Sequence, residues 1–261
     1  MSQQRYYTTQ LQAGLGLLEE TRQLLQVYQP GMSASQLYEA ALASGRFPLV
    51  TARRLRNIVA ECFAPRYMRD QLVADRLKSL ADRFTTAEFN QLLFIYTARA
   101  NLVLADFVRE VYWARYSAGR NDLQLEDART FVANSVREGK TQKPWSETTI
   151  KRISSYLMGC CADYGLLATT GRNQRSIAAY RILPKVVAYL AYDLKLSGLG
   201  DNQIVSSSDW DLFGLERADI RDQLKRLSLQ GLLIFQAASD VVHIGWTYKS
   251  MEELIDVIAQ S

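Results

Sequence analysis

The residues of this sequence best equipped for chemistry are cations and hydroxyls grouped over a short span. Lys140, Lys143, Thr148, Lys151, Arg152, Arg172 and Arg175 fall within one stretch, and Arg53, Arg54 and Arg56 within another. Lysine and arginine neutralise phosphates and release their counterions, and threonine hydroxyls bond phosphate oxygens. The stretch Lys143–Leu183, KPWSETTIKRISSYLMGCCADYGLLATTGRNQRSIAAYRIL, carries most of this set. After Glu147 the face bearing Thr148, Lys151, Arg152 and Ser155 has no acid. The chemistry this predicts is contact with a nucleic-acid duplex through its backbone. The bland alternative for the basic hairpin is a charged edge that keeps a small sheet from aggregating.

Catalytic signatures are missing. There is no Gly-rich phosphate loop, no G-x-S-x-G and no pair of histidines. The one histidine, His243, lies in an alternating strand-like run. Cys62, Cys160 and Cys161 form no CxxC pattern, so neither a zinc site nor a disulfide framework is expected. Reduced thiols point to the cytoplasm. The expectation is a protein that is not an enzyme and takes no cofactor and no metal.

The elements that must position these cations follow from hydrophobic period and punctuation. Ser146 caps a helix with Glu147 in its first turn, and Ile150, Ile153, Leu157 and Tyr164 recur at helical spacing up to Gly165. Strands Leu166–Ala168 and Ile177–Leu183 are predicted around a polar tip, Thr169 to Ser176. Upstream, Leu125–Glu138 is a helix closed by Gly139, so helix, basic turn, helix and hairpin together outline a winged helix. A second outline precedes it. Ser33 with Gln36 caps a helix to Ala43, Ser44–Pro48 is a turn, and a third helix runs from Thr51 to about Phe63, ended by Pro65. Leu55, Ile58, Val59 and Cys62 are its buried stripe and Arg53, Arg54 and Arg56 its exposed cations. Arginine stems covering core edges are the alternative reading there.

Leu17–Tyr28 and Met68–Phe84 are amphipathic helices, and Phe89–Tyr116 is a central buried helix broken near Ala100-Asn101. Pro184 opens a helix to Leu196, and Gly198–Ser208 is the best linker. Beyond it a short helix Asp209–Phe213, a helix Glu216–Leu229, strands Leu232–Ala237 and Val241–Trp246 and a last helix Met251–Ala259 repeat the outline. That copy has a mixed-charge face, which suits a protein partner or a structural role.

With 261 residues, 48% hydrophobic and 22% charged, the composition is that of an ordinary globular protein, and a net charge of +4 permits an acidic partner. Charges interrupt both greasy windows, Leu92–Val111 and Ala178–Leu196, and one charge near a bilayer centre costs ~3 kcal/mol. No membrane contact is expected.

Four segments together carry a family pattern: QAGLGLLEETRQLL (Gln12–Leu25), ARRLRNIVAECF (Ala52–Phe63), FVREVYWARYSAG (Phe107–Gly119) and KPWSETTIKRISSYL (Lys143–Leu157). Their order and spacing resemble the BrxA proteins of bacteriophage exclusion (BREX) defence systems of bacteria and archaea, from about Gln10 to Leu196. The resemblance implies a small, mostly helical, non-enzymatic DNA-binding component. It also implies neighbours as partners: a methyltransferase, an AAA+ ATPase and an alkaline-phosphatase-like protein. The family's label of inner-membrane protein is opposed by the charges in both apolar windows.

The sequence therefore predicts a mainly α fold, an N-terminal helical bundle with helix-turn-helix followed by winged-helix-like modules with short β-hairpins. The divisions are 1–120, 121–197 and 198–261. The function expected is binding of double-stranded DNA; the alternative is a protein-protein adaptor that assembles the defence complex.

Overall fold

The computed structural model describes residues 5–13, 16–171, 174–239 and 241–260. The chain is mainly α, and among the described residues two antiparallel two-stranded sheets accompany the helices. It packs as two compact units, Met1–Lys78 with Leu93–Tyr180, and Ser79–Leu92 with Arg181–Ser261.

In the first unit, α1 is Leu18–Val27 and α2 is Ala34–Ala43. The capping box forms as its sequence predicts: Gln36 N donates to Ser33 Oγ at 3.3 Å, and Ser33 N to Gln36 Oε1 at 2.8 Å. The next helix, α3, is composite. It opens as Ala52–Asn57 under a Thr51 cap, widens to a π-helix over Ile58–Phe63, and finishes as Ala64–Tyr67. Pro65 therefore does not end it. Proline lacks an N–H and crowds the carbonyl one turn back, and the wider turn just before it, where Ala64 N reaches Val59 O, opens the ladder to take the ring.

α4 is Gln71–Leu80 and α5 is Thr86–Ala100. α6 runs as Leu102–Phe107, a π-helix Val108–Tyr112 and Trp113–Ser117. The break between α5 and α6 falls at Asn101, with a bend of 111°. Asn101 is buried, and both its N and its Nδ2 donate to Thr97 O, at 3.0 and 2.8 Å, which ties the end of α5 to the residue at the break. Among the described residues no single helix is long and apolar enough to cross a membrane. α7 is Leu125–Arg137 and α8 is Glu147–Asp163.

The hairpin after α8 is β1, Leu167–Gly171, and β2, Gln174–Ile177, paired through Leu167↔Ile177, Ala168↔Ser176 and Thr169↔Arg175. Much of the predicted polar tip is thus strand, and Ala178–Leu183 leaves the sheet. Two causes are visible. The other side of β2 is taken by Asn121 O, which accepts from Ile177 N at 3.0 Å, and by an Asp122↔Ser176 bridge. Tyr180 turns inward, its ring edge-on to Phe94 at 5.9 Å.

The second unit is built on α9, Pro184–Leu196, which is buried from Val186 to Leu194. α10, Asp201–Val205, lies inside the stretch predicted as linker, because Ile204 and Val205 are apolar and fully buried. A 3-10 turn, Trp210–Phe213, replaces the predicted short helix and leads to α11, Arg217–Leu229. Then come β3, Leu233–Ala238, β4, Val241–Trp246, and α12, Met251–Ile258. The Tyr192 hydroxyl donates to Leu232 O at 2.6 Å and accepts from Tyr248 N at 3.2 Å, pinning the chain before β3 and after β4, at the open end of the hairpin, to α9.

Candidate nucleic-acid interface

The α7–α8 pair and its hairpin hold most of the predicted contact residues. Gly139, at φ 74°, ends α7 in a conformation that L side chains rarely adopt, and Lys140 N then reaches back to Ser135 O at 3.0 Å. The loop is tied down from the N-terminus. Tyr7 bridges to Thr141, its N donates to Lys140 O at 2.8 Å, and its hydroxyl donates to Asp106 at 2.7 Å.

α8 starts at Ser146, whose Oγ accepts from Thr149 N at 3.3 Å and lies 3.0 Å from the Thr149 hydroxyl. Its inner face, Ile153, Leu157, Met158, Cys160 and Cys161, is buried. Its outer face presents Thr148, Lys151, Arg152 and Ser155, all exposed, with no acid between Glu147 and Asp163. Lys143, Lys151 and Arg152 make no ion pair among the described residues. The Ser155 hydroxyl donates to Lys151 O at 3.0 Å, which leaves its oxygen open as an acceptor.

Other expected contacts are engaged inside the fold. Lys140 lies 3.5 Å from Glu110 and 3.6 Å from Glu138, with its ammonium over the Tyr7 ring. Arg175 is half-buried and donates to Met158 O, so it fastens the hairpin to α8. Arg172 lies outside the described residues. The Tyr112 hydroxyl is shared between Leu166 O at 3.1 Å and Ala178 O at 2.8 Å, holding the hairpin base on the π segment of α6.

On α3, Arg53, Arg54 and Arg56 are exposed, and Arg56 stacks on the Tyr38 ring at 5.0 Å. α3 and α8 are tied together through Gly16. Its carbonyl accepts from Arg66 of α3 and from Tyr164 after α8, each at 3.3 Å, while its N–H donates to Asp163 at 2.9 Å. A Cβ on Gly16 would stand 2.7 Å from Asp163 Cβ, so no other residue fits there without movement. Local sequence signals give little hint of this anchor, since Gly16 sits in the apolar run Leu15–Leu18 with no turn partner.

The cysteines are shielded and kept protonated. All three are buried, burial pushes the Cys160 thiol up to about 12, and it raises Cys62 and Cys161 likewise. The described residues hold no group of His, Cys, Asp and Glu able to hold a metal. His243 is exposed, with Nδ1 3.5 Å from Asp201.

Fold and surface define a helical protein with an uncompensated basic helix face. The BrxA family model matches residues 5–193, and the chain belongs to the BrxA family. It is accordingly a component of BREX phage defence. No curated protein matches it. Among solved structures, an uncharacterized protein from Magnetospirillum magneticum is similar, with a TM-score of 0.59 and 15% identity over 73% of this chain and 94% of that one. At that identity the likeness is one of fold.

Proposed function

We propose that the protein is the non-enzymatic DNA-binding component of its defence system, gripping duplex DNA through the phosphate backbone with weak sequence preference. The observation that carries this is the outer face of α8, where Lys151 and Arg152 are exposed, make no ion pair among the described residues and have no acid beside them. The order α6, the short Asn121–Asp122 edge, α7, α8, β1 and β2 supports reading this part as a winged helix, in which α8 would enter the major groove. Thr148 and Lys143 would add backbone contacts, and Arg53, Arg54 and Arg56 on α3 a second phosphate-binding patch. Lys140 and Arg175 serve this reading by holding the loop and the hairpin in place.

The adaptor reading applies to the second unit alone. Its hairpin exposes Ile234 at 60% and Val241 at 66%, and Lys225 on α11 is paired with Asp222 at 3.0 Å. Exposed apolar residues among mixed charges suit a protein partner, such as the methyltransferase, the AAA+ ATPase or the alkaline-phosphatase-like protein of the same system.

The test is an anisotropy titration of labelled duplex over a salt series. Log affinity should fall by about 0.9 per phosphate engaged per unit log salt. Absence of binding at low salt sinks the proposal.

A further inference from the structure

The turn between α2 and α3 carries an almost fully exposed apolar side chain. Pro48 and Leu49 are the central residues of a turn closed by Val50 N donating to Phe47 O at 3.1 Å. Leu49 is 97% exposed. It is not loosely held. Phe47 on one side is buried, Thr51 on the other caps α3 through Arg54 N at 3.2 Å, and Pro48 fixes the backbone at the turn's first central position. A closed turn thus carries a leucine fully exposed to solvent.

The chain on either side of it is positive. No acid occurs from Ala40 to Ala60, while Arg46, Arg53, Arg54 and Arg56 do. Two of these arginines are steered by neutral partners that leave the charge intact: Arg46 donates to Gln26 Oε1 at 2.8 Å, and Arg56 lies over Tyr38. One protruding apolar side chain offers a protein partner little area to cover, and the arginines around it favour a polyanion. Duplex DNA offers both features together, phosphates for the arginines and a base step that an apolar wedge can part.

We infer that Leu49 is a wedge that enters the minor groove and partly unstacks a base step, bending DNA that Arg46, Arg53 and Arg54 hold by its phosphates. This rests on the DNA-binding reading and adds to it a deformation of the duplex. The turn is formed before binding, so its backbone needs no ordering when the leucine inserts.

The experiment uses the full chain and a duplex of about 30 base pairs, long enough for a bend to shorten the end-to-end distance. Dyes at both ends report the bend by energy transfer, and 2-aminopurine within the duplex reports unstacking. The natural protein should shorten the duplex and raise the 2-aminopurine signal. Leu49→Met should keep both effects, since methionine also serves as a wedge. Leu49→Ala should lose both while the salt dependence of binding stays the same, because no charge is removed. A duplex that binds yet stays straight, or that Leu49→Ala bends equally, overturns the wedge and leaves DNA binding intact. No binding of the natural protein at low salt overturns the DNA reading and the wedge with it.

Discussion

The α7–β2 stretch of the first unit and the α10–β4 stretch of the second place a helix before a hairpin in the same way, yet they close the hairpin's outer edge by different means. In the first, backbone does it: Asn121 O accepts from Ile177 N at 3.0 Å. In the second, side chains from α10 do it: Asn202 Oδ1 accepts from Val242 N at 3.2 Å, and Asp201 Oδ2 from Ile244 N at 2.9 Å. The helix faces differ too. α8 shows Lys151 and Arg152 without acids, whereas α11 interleaves Arg217, Asp219, Arg221, Asp222, Lys225 and Arg226. Arg221 is itself held by the hairpin, donating to Ser239 O at 2.8 Å. A shared outline therefore decides little about partners. Placement of charge on the helix face, and whether neighbouring acids cancel it, separates the two.

The largest effect expected from this contrast is in DNA affinity. Replacing Lys143, Lys151 and Arg152 by glutamine should weaken binding by about tenfold or more at low salt and flatten the salt slope by about 0.9 for each phosphate no longer neutralised. The matching change at Arg217, Lys225 and Arg226 should leave both nearly unaltered. Equal weakening by the two triple variants in an anisotropy titration would erase the distinction between the two faces.

Next in size is Gly16→Ala. The added Cβ meets Asp163 Cβ, an atom fixed to the backbone of α8, so the clash should destabilise the first unit by ~1–3 kcal/mol. Thermal unfolding measures it. The three buried thiols, all in the first unit, give a second readout: Ellman's reagent should ignore them in the native protein and reach them sooner in the variant.

Smaller still is Asp201→Ala in the second unit. Ile244 N loses its acceptor near solvent, at a cost of ~1 kcal/mol, and its amide hydrogen should exchange faster. No matching change should appear at Ile177, whose acceptor is a backbone carbonyl.

The smallest is Gly245→Ala. Its Cβ would come within 3.2 Å of Ile234 Cβ, but Ile234 is exposed and free to shift. Alanine's advantage over glycine in a strand, ~0.5–1 kcal/mol, offsets the crowding, and the melting temperature should hardly move. A destabilisation as large as that of Gly16→Ala would show that this hairpin is packed as tightly as the Gly16 anchor.

Local signals in the sequence carried most of the helices. Ser33 with Gln36, Thr85 with Glu88 and Ser250 with Glu253 announce helix starts that the structure realises through side-chain caps. The apolar faces of α8 and α11 are likewise visible in their spacing. What the sequence concealed depends on distant partners. The extent of β2 is set by Asn121 and Tyr180, far from the hairpin tip, and α10 is helical because two apolar residues in a polar stretch find a core. Of the proposed contact residues, exposure of Lys151 and Arg152 followed from helical period alone. The engagement of Lys140 with Glu110, and of Arg175 with Met158 O, did not, because those partners lie on other elements.

The second unit takes Ser79–Leu92 from the middle of the chain, and this has a consequence for synthesis. Phe84 and Phe89 emerge early but belong with residues made much later, and Gln91 waits for Arg181 O and Leu183 N, its partners at 2.7 and 2.9 Å. At ~5–20 residues per second the ribosome leaves that apolar segment without its unit for on the order of 10 to 30 s. During that interval its apolar side chains lack the residues that bury them in the finished unit, and a fragment that stops at Tyr180 would lack them throughout.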